Sequence, residues 1–202
     1  MNITFLPSPI PFRRRLSVSV ALALCTSTLA APSFADSPRD REAKFASHDG
    51  NILFLVLGTF LPLITDGRGG GRQTLRNMDA LATSTLLSEG LKFLVREKRP
   101  ETEERNSFPS GHATAAFTLA QMQADRHPDQ AVLWYGGATL IAESRVHLRR
   151  HYAHDVIAGA LLGIGMASAA RRQPRGFLLA PFIRPNRNGR GRTMGLQFSR
   201  SF

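Results

Sequence analysis

Between residues 52 and 170 the chain repeats one pattern, an apolar stretch with helical spacing followed by a short polar connection. Such a pattern leaves room for little except packed helices. The apolar run at 52–64 gives way to the glycine-rich stretch 66–71, which reads as a connection. From about 73 to 96, Leu75, Met78, Leu81, Ala82, Leu86, Leu87, Leu91, Phe93, Leu94 and Val95 recur mostly at steps of three and four. Pro100 marks the end of that helix, because the residue before a proline avoids the helical region. Segments 111–124, 129–143 and 152–170 read as further helices. The expected fold is therefore all-α, a helical bundle of about five to six helices. Beyond 170 the pattern changes: 176–183 and 193–202 flank a segment rich in Asn, Gly and Arg, as in a short C-terminal β-hairpin.

The 202 residues divide into three parts. Residues 1–35 carry Arg13, Arg14 and Arg15, then an uncharged stretch, then Ser33-Phe34-Ala35, and read as a signal peptide cleaved after Ala35. Residues 36–170 form the expected helical-bundle domain, entered through a polar lead-in at 36–51, and 171–202 form a basic tail. Cys25 is the one cysteine, so the mature protein has neither a disulfide nor a thiolate site. The net charge of +11 is uneven, because the domain is balanced while the tail holds eight arginines and no acid. Such a tail suits an anionic surface, and export favours a lipid surface over nucleic acid. The apolar runs are shorter than the roughly 20 residues of a confident membrane span and are interrupted by Glu89, Gln121, Gln123 and Glu143. With a mean hydropathy of −0.14, this favours an exported, periplasmic or membrane-surface protein over an embedded one.

Three clusters carry chemistry. Lys92 and Arg99 are seven residues apart, about two helical turns, so both cations share a face if the helix persists. Ser110 stands where an N-cap belongs, with Gly111 and His112 opening a helix whose free N–H groups and dipole favour an anion. His151 and Asp155 are four apart, so on one helix the carboxylate holds one ring nitrogen protonated and leaves the other to act as a nucleophile. Arg145 can clamp phosphate oxygens from six residues earlier. Taken singly, each cluster also has an ordinary structural reading: a solvated basic face, a capped helix, a histidine–carboxylate pair. A zinc site from His147, His151, His154 and Asp155 is a competing reading, which would strand three cations beside a metal.

Together the clusters read KFLVREKRP, PSGH and SRVHLRRHYAHD, and position for position they resemble the three-part signature of the type 2 phosphatidic acid phosphatase and vanadium haloperoxidase superfamily. The resemblance implies a metal-independent phosphatase without a cofactor. Lys92, Arg99, Ser110, Gly111 and Arg145 would bind phosphate. His151 would attack phosphorus, Asp155 would orient it, and His112 would protonate the leaving group, giving a phosphohistidine intermediate. The substrate would be a phosphomonoester or diphosphate, with lipid phosphates favoured. A soluble-substrate acid phosphatase and a vanadate-dependent haloperoxidase are the alternatives within the superfamily, the latter disfavoured by chain length. The sequence departs from the common pattern at Arg149, Arg150, Ala153 and His154. The extra charge at Arg149 and Arg150 suggests a substrate with more than one phosphate or an anionic membrane setting.

Overall fold

The computed structural model describes residues 37–173, 180–185 and 192–197, so the expected signal peptide and most of the basic tail lie outside the described residues. Among them the fold is an all-α bundle. Its helices are α1 (Pro38–Ser47), α2 (Asp49–Phe60), α3 (Pro62–Thr65), α4 (Gly70–Val95), α5 (Gly111–Arg126), α6 (Ala131–His147) and α7 (Ala153–Arg172). Strands β1 (Ala180–Pro185) and β2 (Arg192–Gln197) pair antiparallel, with Ala180 opposite Gln197.

The polar lead-in expected before residue 52 is instead helix α1. Ser37 caps it, accepting from the Asp40 amide at 3.1 Å, while Asp40 accepts from the Ser37 amide at 3.3 Å, and Pro38 occupies the first turn. Only small breaks at His48 and Leu61 separate α1, α2 and α3. Helix α4 stops where Arg96 turns into the left-handed region, φ 53°.

Helix α5 is the core element, flanked by α7, α6, α4 and α2. It meets α7 through small residues. A methyl at Gly159 would lie 2.6 Å from the Ser110 carbonyl oxygen, and one at Gly163 would lie 2.4 Å from that of Thr114. These two glycines, four apart, let the backbones touch, a contact common between helices in lipid. The interior is rich in small and polar groups. Thr118 donates to Ser84 at 2.9 Å, and Asn77 and Gln123 both donate to the Gly58 carbonyl, at 2.8 and 2.6 Å. An apolar cluster of Ala116, Ala120, Trp134, Ala138 and Ile141 fills the α5–α6 seam, with Phe54 edge-on to Trp134 at 5.3 Å.

The outside, in contrast, is apolar. Ile52, Val56, Phe60 and Leu63 are exposed along α2 and α3, Leu86 and Leu87 on α4, Leu133 and Leu140 on α6, and Ile157 and Leu161 on α7. The polar residues that interrupt the apolar runs do not all break this surface. Gln123 is buried, and Gln121 accepts from Tyr135 at 2.5 Å. Two helical stretches, Pro38–Thr65 and Ala153–Arg172, are long and apolar enough to cross a bilayer, and only 22% and 33% of their most apolar windows is buried. The exterior is therefore more apolar than the sequence reading allowed.

The tight α5–α7 seam generates a prediction. Gly163→Ala forces a methyl into backbone and should lower stability by about 2 kcal/mol, as overpacked cores do. Gly165→Ala, whose methyl meets nothing within 4 Å, should leave stability unchanged or raise it by about 0.5 kcal/mol through helix propensity. Thermal melts of the two variants check this.

Candidate phosphate-binding site

The three clusters meet at one end of the bundle, on the C-terminal ends of α4 and α6 and the N-terminal ends of α5 and α7. Lys92 lies on the last turn of α4, pairs with Glu89 at 2.6 Å, and places its ammonium 3.1 Å from where a Gly111 Cβ would be. Glycine at 111 therefore lets a cation reach the α5 N-terminus. Ser110 is the N-cap of α5, but its side chain makes no capping bond. Its Oγ is buried without a hydrogen-bond partner.

Arg99 arrives by a different route from the one its spacing suggested. Because α4 ends at Val95, Arg99 is not on a shared helical face with Lys92. A loop carries it, closed by the Arg99 amide on the Glu104 carbonyl at 3.0 Å, with Arg99 Nε donating to Asn106 at 2.7 Å. Arg145, in the last turn of α6, donates through Nη1 to Ser47 of α1 and keeps a buried Nε with no partner.

His151 does not share a helix with Asp155. It sits in the segment before α7 rather than on the helix, while Asp155 occupies the third position of the helix's first turn. The His151 Nδ1 to Asp155 Oδ2 distance is 3.5 Å, a close approach longer than a hydrogen bond. Asp155 Oδ2 accepts instead from Ser107 Oγ at 2.6 Å and the Tyr152 amide at 2.9 Å, and the Asp155 carbonyl accepts from the Ser110 amide at 3.0 Å. Ser107 was missed in the sequence because no spacing rule links it to a residue 48 positions later.

Burial, then repulsion from Arg145, His151, Lys92 and Arg99, lowers the His112 pKa to about 4. Burial, then Arg145 and Arg99, likewise holds His151 at about 4, opposed by Asp155 and the Ser107 backbone. Both rings are therefore neutral at pH 7 and lie in the field of the same cations.

The zinc reading gains no support for His147, whose Nε2 is 2.9 Å from Asp40. A different trio, Glu97, His154 and Asp155, lies within 4.8 Å. There one ring nitrogen, His154 Nε2, faces Glu97 at 2.8 Å and Asp155 at 3.3 Å, a histidine–carboxylate contact that forms without a metal.

Fold and site together define an all-α protein that gathers three cations, a helix N-terminus and two neutral histidines round a pocket for an anion. The chain belongs to the PAP2 superfamily, which residues 78–177 match. Over 77 residues, 36% of this chain, it is 36% identical to a lipid A 1-phosphatase from Porphyromonas gingivalis, and it spans only 17% of that relative's length. Its fold is similar to that of Aquifex aeolicus LpxE, with a TM-score of 0.55, 22% identity, and coverage of 69% of this chain and 89% of the other. It is also similar to the first transmembrane PAP2 type phosphatidylglycerolphosphate phosphatase from Bacillus subtilis, with a TM-score of 0.52, 21% identity, and coverage of 68% and 78%.

The lowered histidine pKa values fix the sign of an acid effect. Folded pKa values below the unfolded 6.5 mean the unfolded chain binds more protons, so stability is lost as pH falls from about 6.5 towards 4. Melting temperatures between pH 7 and pH 4 should show that fall, and it should be shallower in a His112→Gln, His151→Gln double variant.

Proposed function

We propose that this protein is a metal-independent phosphatase that acts on lipid phosphates through a phosphohistidine at His151. The observation that carries the reading is the pair of buried polar atoms without partners, Ser110 Oγ and Arg145 Nε, together with the α5 N-terminus and Lys92. Such atoms are costly unless an anion engages them.

The substrate phosphate is held by Lys92, Arg99 and Arg145, by Ser110, and by the first amides of α5, which together neutralise its non-bridging oxygens as charge develops. Neutral His151 attacks phosphorus and the bond to the leaving oxygen breaks. A bound phosphate adds negative charge among these cations and so favours protonated His112, which gives its proton to that oxygen. Water then attacks phosphohistidine, His112 takes the water proton, the P–N bond breaks and orthophosphate leaves. Asp155, oriented by Ser107 and the Tyr152 amide, steadies the charge on His151.

The lipid assignment rests on the apolar exterior of α2, α4, α6 and α7 and on the relatives named above. With those faces seated in lipid, a phosphate headgroup reaches the bundle end while its acyl chains stay in the bilayer. In liposomes, a membrane-soluble carbene photolabel should modify peptides holding Ile52, Val56, Ile157 and Leu161; labelling of none of them would contradict this seating.

The reading as a whole is tested by phosphate release in EDTA from an aryl phosphate, phosphatidate and a polyprenyl diphosphate. Release should persist in EDTA, stop with vanadate, favour a lipid substrate, and fall at least about a thousandfold in His151→Ala. Release that requires a divalent metal would overturn the reading and point to the Glu97, His154 and Asp155 trio.

A further inference from the structure

We propose that Glu89 is a built-in competitor for Lys92: its carboxylate pairs with the ammonium that phosphate needs, so the two anions oppose one another and orthophosphate is held loosely. The inference rests on the phosphatase reading above, and it concerns a residue outside the three sequence clusters.

Glu89 stands three residues before Lys92 near the end of α4, so the two side chains leave the same helix face. On an ordinary helix surface such a pair does little more than support the helix. This pair reaches another helix. A methyl at Gly111, the first residue of α5, would lie 3.1 Å from Lys92 Nζ and 3.6 Å from Glu89 Oε1. The ammonium and the carboxylate oxygen, 2.6 Å apart, therefore meet at the α5 N-terminus. That terminus favours an anion through its free amides and its dipole, and Glu89 supplies one from the chain itself.

The three cations of the site are engaged in different ways. Arg145 donates to the neutral Ser47 hydroxyl. Arg99 donates to Asn106 at 2.7 Å and lies 3.4 Å from Glu104, whose carbonyl closes the same loop. Lys92 has the closest carboxylate of the three, and among the described residues Glu89 is its one ion-pair partner.

Exposure separates the partners further. The Lys92 side chain is 14% exposed and that of Glu89 58%. Packing holds the ammonium at the helix terminus, whereas the carboxylate is free to swing into solvent when another anion arrives. A phosphate dianion carries more charge than a carboxylate and displaces it, but two anions at this range repel, and the pair that is broken lessens the net gain. Every anion that uses Lys92 is weakened in this way. The effect matters most for orthophosphate, which has no acyl chains to hold it and must leave after each turnover.

Equilibrium titration of the full chain with orthophosphate at pH 7 tests the competition without requiring turnover. Glu89→Gln should bind orthophosphate about threefold or more tighter than the wild type, a change the size of one ion pair released. Loss of a structural contact would weaken binding, so a gain is a readout that a purely structural Glu89 does not give. Glu103→Gln removes the same charge from the exposed pair with Lys98 and should change binding by less than about 1.5-fold. In a Lys92→Gln background the gain from Glu89→Gln should shrink to within about 1.5-fold. Unchanged or weaker binding in Glu89→Gln, an equal gain in Glu103→Gln, or a gain undiminished in the Lys92→Gln background would overturn the competition. So would failure of both the wild type and Glu89→Gln to bind orthophosphate. The predicted gain in a protein that hydrolyses no phosphate ester would remove the phosphatase reading and leave the competition standing.

Discussion

The Asp155 carboxylate is wholly buried and is held by the Ser107 hydroxyl and the Tyr152 amide, while its own carbonyl accepts the amide of Ser110. A buried carboxylate is costly unless it is hydrogen-bonded; here Oδ2 takes both side-chain bonds, and each of the three bonds ties a different part of the site. The first fixes the loop after α4, which carries Arg99. The second fixes the start of α7 and with it the His151 ring, 3.5 Å away. The third fixes the N-cap of α5, where the anion is proposed to rest. The contact is possible only because α7 lies against α5 at Gly159 and Gly163, with no side chain to hold the helices apart.

The helix pattern was legible because apolar periodicity over long segments reports the bundle directly, and the site was legible because three clusters occur together in order. The details that failed are those that backbone reversals decide. Spacing would put Arg99 on the face of Lys92 and His151 on the helix of Asp155 only if the helices at 73–96 and 152–170 ran beyond those bounds. The left-handed residue Arg96 and the segment before Ala153 put both on loops instead. Helix α1 was read as a polar lead-in because its buried positions are Ala43 and Ser47, too small and polar to give an apolar stripe. Ser107, Ser47 and Asp40 hold site residues across 48, 98 and 107 positions, and no local rule finds such partners.

The distribution of polarity also explains why mean hydropathy says little about the surface of the bundle. Asn77, Ser84, Thr118 and Gln123 face inward and bond one another or the Gly58 carbonyl, whereas many large aliphatic side chains of α2, α4, α6 and α7 face outward. In water such an arrangement exposes an unusually wide apolar surface, and in lipid it is the stable one. A mean taken over the sequence cannot separate the two faces. The same division leaves the charged groups at the end of the bundle, where a phosphate carried by a lipid would arrive.

The central claim is that phosphoryl transfer passes through His151, and the most direct measurement is to trap that intermediate. Full-length protein would be mixed with labelled substrate, quenched in alkali within milliseconds, digested and mapped by mass spectrometry. The account predicts an acid-labile, alkali-stable phosphoryl group on the peptide holding His151. It should be more abundant in His112→Ala, whose hydrolytic step lacks its base, when a substrate with a good leaving group is used. Full turnover with no phosphohistidine at any quench time, or a phosphoryl group on another residue, would contradict it.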